Sequence, residues 1–189
     1  MKTNRRILSI LFVALFALMS LSAAGKGKVK YVFYMIGDGM GVNQVYSTGV
    51  YNQAVGGSVV NFTQFPYFTT ISTVSASSRV TDSAAAGTAL ASGVKTDNGR
   101  LGTDPSDKPV VTVADIAKEA GWGVGLVTSV GVNHATPGAF YAKVASRNMY
   151  DEINQNLIDS KVDYAAGATF LSNMKENAGP KYWASKAEE

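Results

Sequence analysis

Cysteine is absent from this 189-residue chain, and histidine occurs once, as His134. The first absence excludes a disulfide framework, a thiolate metal site and a lipid-modified cysteine. An excess of charge is also missing. The formal +3 comes from 17 Lys and Arg against 14 Asp and Glu, and Lys2, Arg5 and Arg6 precede Ala24, so the remainder balances. With no net charge there and no basic stripe interleaved with aromatics, nothing points to a nucleic-acid partner. The only long apolar run is Ile7–Leu21, shorter than the ~20 residues that span a bilayer. It follows three basic residues and precedes Ser22-Ala23-Ala24, which is the order of a secretory signal peptide cleaved after Ala24. Residues 25–189 are then expected to be exported to a bacterial periplasm or exterior, with no membrane association after cleavage.

What is present is the composition of a folded protein, 46% hydrophobic and 16% charged. Internal repeats, low-complexity tracts and interdomain linkers are lacking. Val29–Ile36 is β-branched and aromatic and predicts a buried strand that runs into Gly37-Asp38-Gly39-Met40-Gly41. Asn43–Tyr51 predicts a helix and Phe68–Val74 a second strand. An alanine-rich helix is expected over Ser83–Ser92, then a turn-rich loop with Asn98-Gly99 inside it. Thr112–Ala120 has a capping pattern in Thr112 and Asp115, with Gly121 as its stop. Gly123–Ser129 predicts a third strand and Asn148–Lys161 a further helix. Alternation of this kind argues a layered α/β sheet, whose sites lie off the carboxyl ends of its strands.

That rule places Asp38, Ser83 and His134-Ala135-Thr136-Pro137 on one rim. Thr81-Asp82-Ser83 ahead of Ala84-Ala85-Ala86 is a plain helix cap, or a nucleophile mounted where helix N–H groups attract an oxyanion or phosphate. Asp38 between glycines is a turn residue, or a carboxylate that a cation or phosphate can approach closely. Gly37-x-Gly39 is no dinucleotide fingerprint, because Val42 stands at the third required position.

Together these segments resemble the alkaline phosphatase family. The matching runs are Ile36-Gly37-Asp38-Gly39-Met40-Gly41, Thr81-Asp82-Ser83-Ala84-Ala85, Gly93-Val94-Lys95-Thr96 with Asn98-Gly99, and Asn133-His134-Ala135-Thr136-Pro137 with Arg147 downstream. The likeness covers Val29 to about Lys161 and fades afterwards. It implies a layered α/β/α sandwich of that family's type, with its sheet incomplete in this chain. It implies phosphate-monoester hydrolysis through a phosphoserine at Ser83, two zinc ions, one magnesium ion, and a homodimer for the full-length enzyme. Asp38 would bridge zinc and magnesium, Ser83 would lie on zinc, and Thr136 would offer its hydroxyl to magnesium, a cation that prefers oxygen. Arg147 would grip two phosphate oxygens with its planar fork. His134 would stand near the magnesium site, through water or in favour of a softer ion.

One departure limits the resemblance. A zinc site needs about three protein ligands, and one histidine without cysteine after Asp38 does not supply two such sites. The chain is therefore expected to be the N-terminal portion of an alkaline phosphatase domain, inactive on its own. The alternative is a catalytically incomplete phosphate- or metal-binding exported protein. A metal-free hydrolase built on Ser83 and His134 is a third reading, and it lacks the Gly-x-Ser-x-Gly elbow.

Overall fold

A computed structural model of the protein describes residues 29–174. The expected signal peptide lies outside the described residues. The chain divides into two compact units, Met1–Gly37 and Asp38–Glu189. Of the first, residues 29–37 are described, and they do not form the strand expected over Val29–Ile36. Most of their large side chains are exposed, Phe33 to 81% and Met35 to 85%. An extended apolar segment becomes a strand only when its N–H and C=O groups enter a ladder, which composition alone cannot guarantee.

The second unit begins with helix α1, Val42–Ala54. It runs longer at both ends than the expected Asn43–Tyr51, and Gly41 N–H at its start donates to Gln44 Oε1 at 3.1 Å. A 3₁₀ turn, Asn61–Gln64, follows. Phe68–Val74 forms no strand either, with Phe68 exposed to 89%.

Helix α2 spans Ser83–Ser92, the range expected from sequence. Asp82 caps it by accepting the Ala85 N–H at 2.9 Å, and Gly93 ends it at φ 74°. The alanine train has a physical cause in the packing. Ala84, Ala85, Gly87, Thr88 and Ala91 are all buried, so larger side chains would hold neighbouring elements away. Helix α3, Val113–Glu119, starts with the anticipated capping pair: Thr112 Oγ1 accepts from Asp115 N–H, and Asp115 accepts from Thr112 N–H at 2.8 Å. Gly121, at φ 78°, follows its end.

Strand β1, Gly125–Val127, is the paired centre of the expected Gly123–Ser129. The chain then forms a short helix α4, Ala135–Gly138, and helix α5, Tyr150–Asp159, the inner part of the expected Asn148–Lys161. It returns as β2, Tyr164–Ala166, which pairs parallel to β1 with Leu126 opposite Ala165. Neither α4 nor β2 was expected. Each spans little more than one period of its pattern, too short to stand out in the sequence, and β2 exists through its pairing with β1. The core lies between α2, α4 and α5, and includes Ala84, Leu101, Ala135, Ala139 and Ile153. Among the described residues no helix is long and apolar enough to cross a membrane.

Candidate active site

The site is assembled where α2 meets α4. Gly87 makes this approach possible: a Cβ there would lie 3.0 Å from Ala139 Cβ and 3.6 Å from Thr136 Cα. With no side chain in between, the N-terminus of α2 and the turn entering α4 stand close. Asp38 joins them. Its Oδ1 accepts the Ser83 hydroxyl at 3.2 Å, and its Oδ2 accepts the Thr136 hydroxyl at 2.8 Å. Those partners lie 45 and 98 residues away along the chain.

A second group adjoins the first through the backbone of residues 82–83 and 134–136. Arg147 Nη1 donates to Asp82 Oδ2 at 3.1 Å, and its Nη2 lies 3.4 Å from His134 Nε2. Burial alone would raise the Asp82 carboxyl, but N–H donors from Ala85 and Gly99 together with Arg147 hold it below its ordinary value. Burial and the Arg147 charge push the His134 imidazole down, against an opposing pull from Asp38. A neutral imidazole can then accept the guanidinium N–H at Nε2 and carry its own proton on Nδ1. That Nδ1 is buried without a hydrogen-bond partner among the described residues.

All five residues singled out from the sequence thus fall into two adjoining groups, Asp38 with Ser83 and Thr136, and His134 with Arg147. Ser83 turns its hydroxyl to Asp38, while His134 faces Arg147, so the contacts are not those of a Ser–His pair. Sequence reasoning missed Asp82 as a member of the site. Its signal was available, since Asp immediately before a helix is a capping carboxylate whose second oxygen remains free for a cation.

The donor set can be tested against the metals that the resemblance implies. Two carboxylate oxygens and two hydroxyls converge at Asp38, Ser83 and Thr136, which fits a hard divalent cation such as magnesium. Zinc is a different case. Among the described residues there is no group of three or more His, Cys, Asp or Glu that could hold a metal ion, so these residues do not make up a zinc site.

The family model described as alkaline phosphatase matches residues 29–176. Alkaline phosphatase 4 of Bacillus subtilis is 37% identical over 142 residues, covering 72% of this chain and 31% of that protein. Alkaline phosphatase of Escherichia coli K12 is 35% identical over 127 residues, covering 64% of this chain and 27% of that protein. Among solved structures, a variant of the alkaline phosphatase from the Antarctic bacterium TAB5, with Mg bound in its M3 site, superposes with a TM-score of 0.68. It is 29% identical, and the match covers 78% of this chain and 42% of that one. The chain therefore spans about a third of the length of the curated relatives it matches.

Proposed function

Since this chain belongs to the alkaline phosphatase family, with a partial α/β fold of that type, we propose that it carries the nucleophile-bearing part of a site that hydrolyses phosphate monoesters. The observation that supports this most is the convergence of the Ser83 and Thr136 hydroxyls on the two oxygens of Asp38. Ser83 Oγ would attack phosphorus and form the phosphoserine, and the bond to the ester oxygen would break with its electron pair leaving on the alcohol. Water would then attack the same phosphorus, the P–Oγ bond would break with its electron pair on Ser83 Oγ, a proton from the water would return to that oxygen, and inorganic phosphate would leave. Asp38 orients the Ser83 hydroxyl, with Oδ1 as the acceptor of its proton. A carboxylate is a weak base for that task, and a bound divalent cation would supply the positive charge that lowers the hydroxyl pKa. Asp38 and Thr136 are the residues that would hold magnesium. No step is assigned to zinc, whose ligands these residues do not provide.

Arg147 would take two phosphate oxygens, a fork-to-oxyanion pair, alongside the first turn of α2, whose free N–H groups also favour an anion. Its pairing with Asp82 holds the guanidinium at the helix entry. The order of charge, apolar run and small residues through Ala24 supports export.

The full chain, incubated with an aryl phosphate and magnesium, should carry a phosphoryl group on Ser83 in peptide mass spectra, and Ser83→Ala should carry none. Labelling elsewhere, or its persistence in Ser83→Ala, would overturn the assignment. The scarcity of metal ligands among the described residues favours a second reading, a phosphate- or metal-binding protein without turnover. It predicts saturable binding of magnesium or phosphate by calorimetry, with no aryl alcohol released.

A further inference from the structure

We propose that Asn98 is a positioning residue that locks the entry of the Ser83 helix to the Arg147 segment. The inference rests on the reading that Ser83 accepts a phosphoryl group and Arg147 binds phosphate. The Asn98 carboxamide reaches across the loop to two backbone groups on either side of Thr81. Its Nδ2 donates to the Val80 carbonyl at 2.9 Å, and its Oδ1 accepts the Asp82 N–H at 3.2 Å. One side chain therefore stands in for a neighbouring strand, pairing with the segment immediately before the nucleophile. Its own N–H is held by Ser77 Oγ at 3.0 Å, which fixes where the carboxamide starts from.

The next residue completes the link. Gly99, at φ 90°, accepts the Arg147 N–H on its carbonyl at 2.7 Å. The dipeptide Asn98-Gly99 thus touches the backbone of Val80, Asp82 and Arg147. The spacing between nucleophile and arginine is referenced to this one turn.

The chemistry requires asparagine. The carboxamide offers one donor and one acceptor to two different backbone partners. Aspartate keeps the acceptor but turns an oxygen toward the Val80 carbonyl, and alanine removes both. Asn98 is exposed, so its truncation leaves the core packing intact.

The test uses the full chain with Asn98→Ala and Asn98→Asp. Hydrogen–deuterium exchange at the Asp82 amide should rise about tenfold in Asn98→Ala, the scale expected for losing one exposed hydrogen bond, while β1 amides keep their rates. Affinity for inorganic phosphate should fall about tenfold in Asn98→Ala, yet not fall further when Asn98→Ala is added to Arg147→Ala. Independent, additive losses would mean a general structural role and overturn the inference, as would unchanged exchange at Asp82. Should the wild-type chain neither bind phosphate nor label at Ser83, the phosphatase reading fails. Exchange at Asp82 then still decides whether Asn98 holds the helix entry.

Discussion

The Asp82 carboxylate and the Arg147 guanidinium, 65 residues apart in sequence, meet at 3.1 Å. One oxygen of the same carboxylate caps α2 and the other receives the arginine. A single side chain therefore serves both the helix that bears Ser83 and the residue proposed to hold phosphate.

Asp82→Ala should cost about 1–2 kcal/mol of stability, the usual range for a lost N-cap. Asp82→Asn keeps an acceptor for the Ala85 N–H and should cost less. Urea unfolding monitored by circular dichroism measures both. Equal losses in the two variants would mean that the charge, rather than the cap, carries the effect.

Stability should fall in acid partly through Asp115. Burial alone would raise this carboxyl, but the Thr112 N–H and hydroxyl together with Lys143 lower it below 3.8. A folded-state value below the unfolded one means that the stabilisation is complete above the unfolded value and is lost as pH falls through the folded one. The urea midpoint should therefore drop below about pH 4, and Asp115→Asn should show a shallower drop. Asp82 and Asp163 are lowered as well, so the slope should shrink without vanishing. An unchanged slope in Asp115→Asn would remove Asp115 from this account.

Tyr141 is buried, and its hydroxyl donates to the Val132 carbonyl at 2.8 Å. Burial pushes its phenol above the ordinary tyrosine value, so it stays a neutral donor. Tyr141→Phe should leave that carbonyl unsatisfied and cost about 1–2 kcal/mol in thermal or urea unfolding. A neutral result would show that water replaces the hydroxyl.

Two glycines with positive φ should respond differently to alanine. At Gly121 (φ 78°) an added Cβ meets open space, so only backbone strain of about 1 kcal/mol is expected. At Gly102 (φ 60°) the same atom would run into the Ala142 carbonyl. Gly102→Ala should cost on the order of 3 kcal/mol or more, by combining strain with overpacking. Comparable melting temperatures for the two variants would contradict this contrast.

Local chemistry was legible wherever it is self-contained. The cap at Asp82, the stop at Gly93, the Thr112 and Asp115 pair and the span of the alanine-rich helix each depend on interactions within about four residues. Strands were legible only in part: the expected Gly123–Ser129 contains β1, but the other strand expectations fail. Val29–Ile36 and Phe68–Val74 carry the residue types of strands and form none, whereas Tyr164–Ala166 carries little of that signal and pairs with β1. A ladder needs a partner in space, and a partner is not a local property.

The site divides along the same line. The sequence by itself determined which groups are available: one imidazole, no thiol, a serine at a helix start, an aspartate between glycines, and an arginine downstream. Tertiary structure alone decided who touches whom. It put Asp38 between Ser83 and Thr136, turned His134 toward Arg147, and hung both Asp82 and Arg147 on the Asn98-Gly99 turn. The physical reason is that capping and turn formation are short-range, while convergence of side chains from distant segments depends on how closely helices pack. Here that closeness was set by a missing side chain, at Gly87.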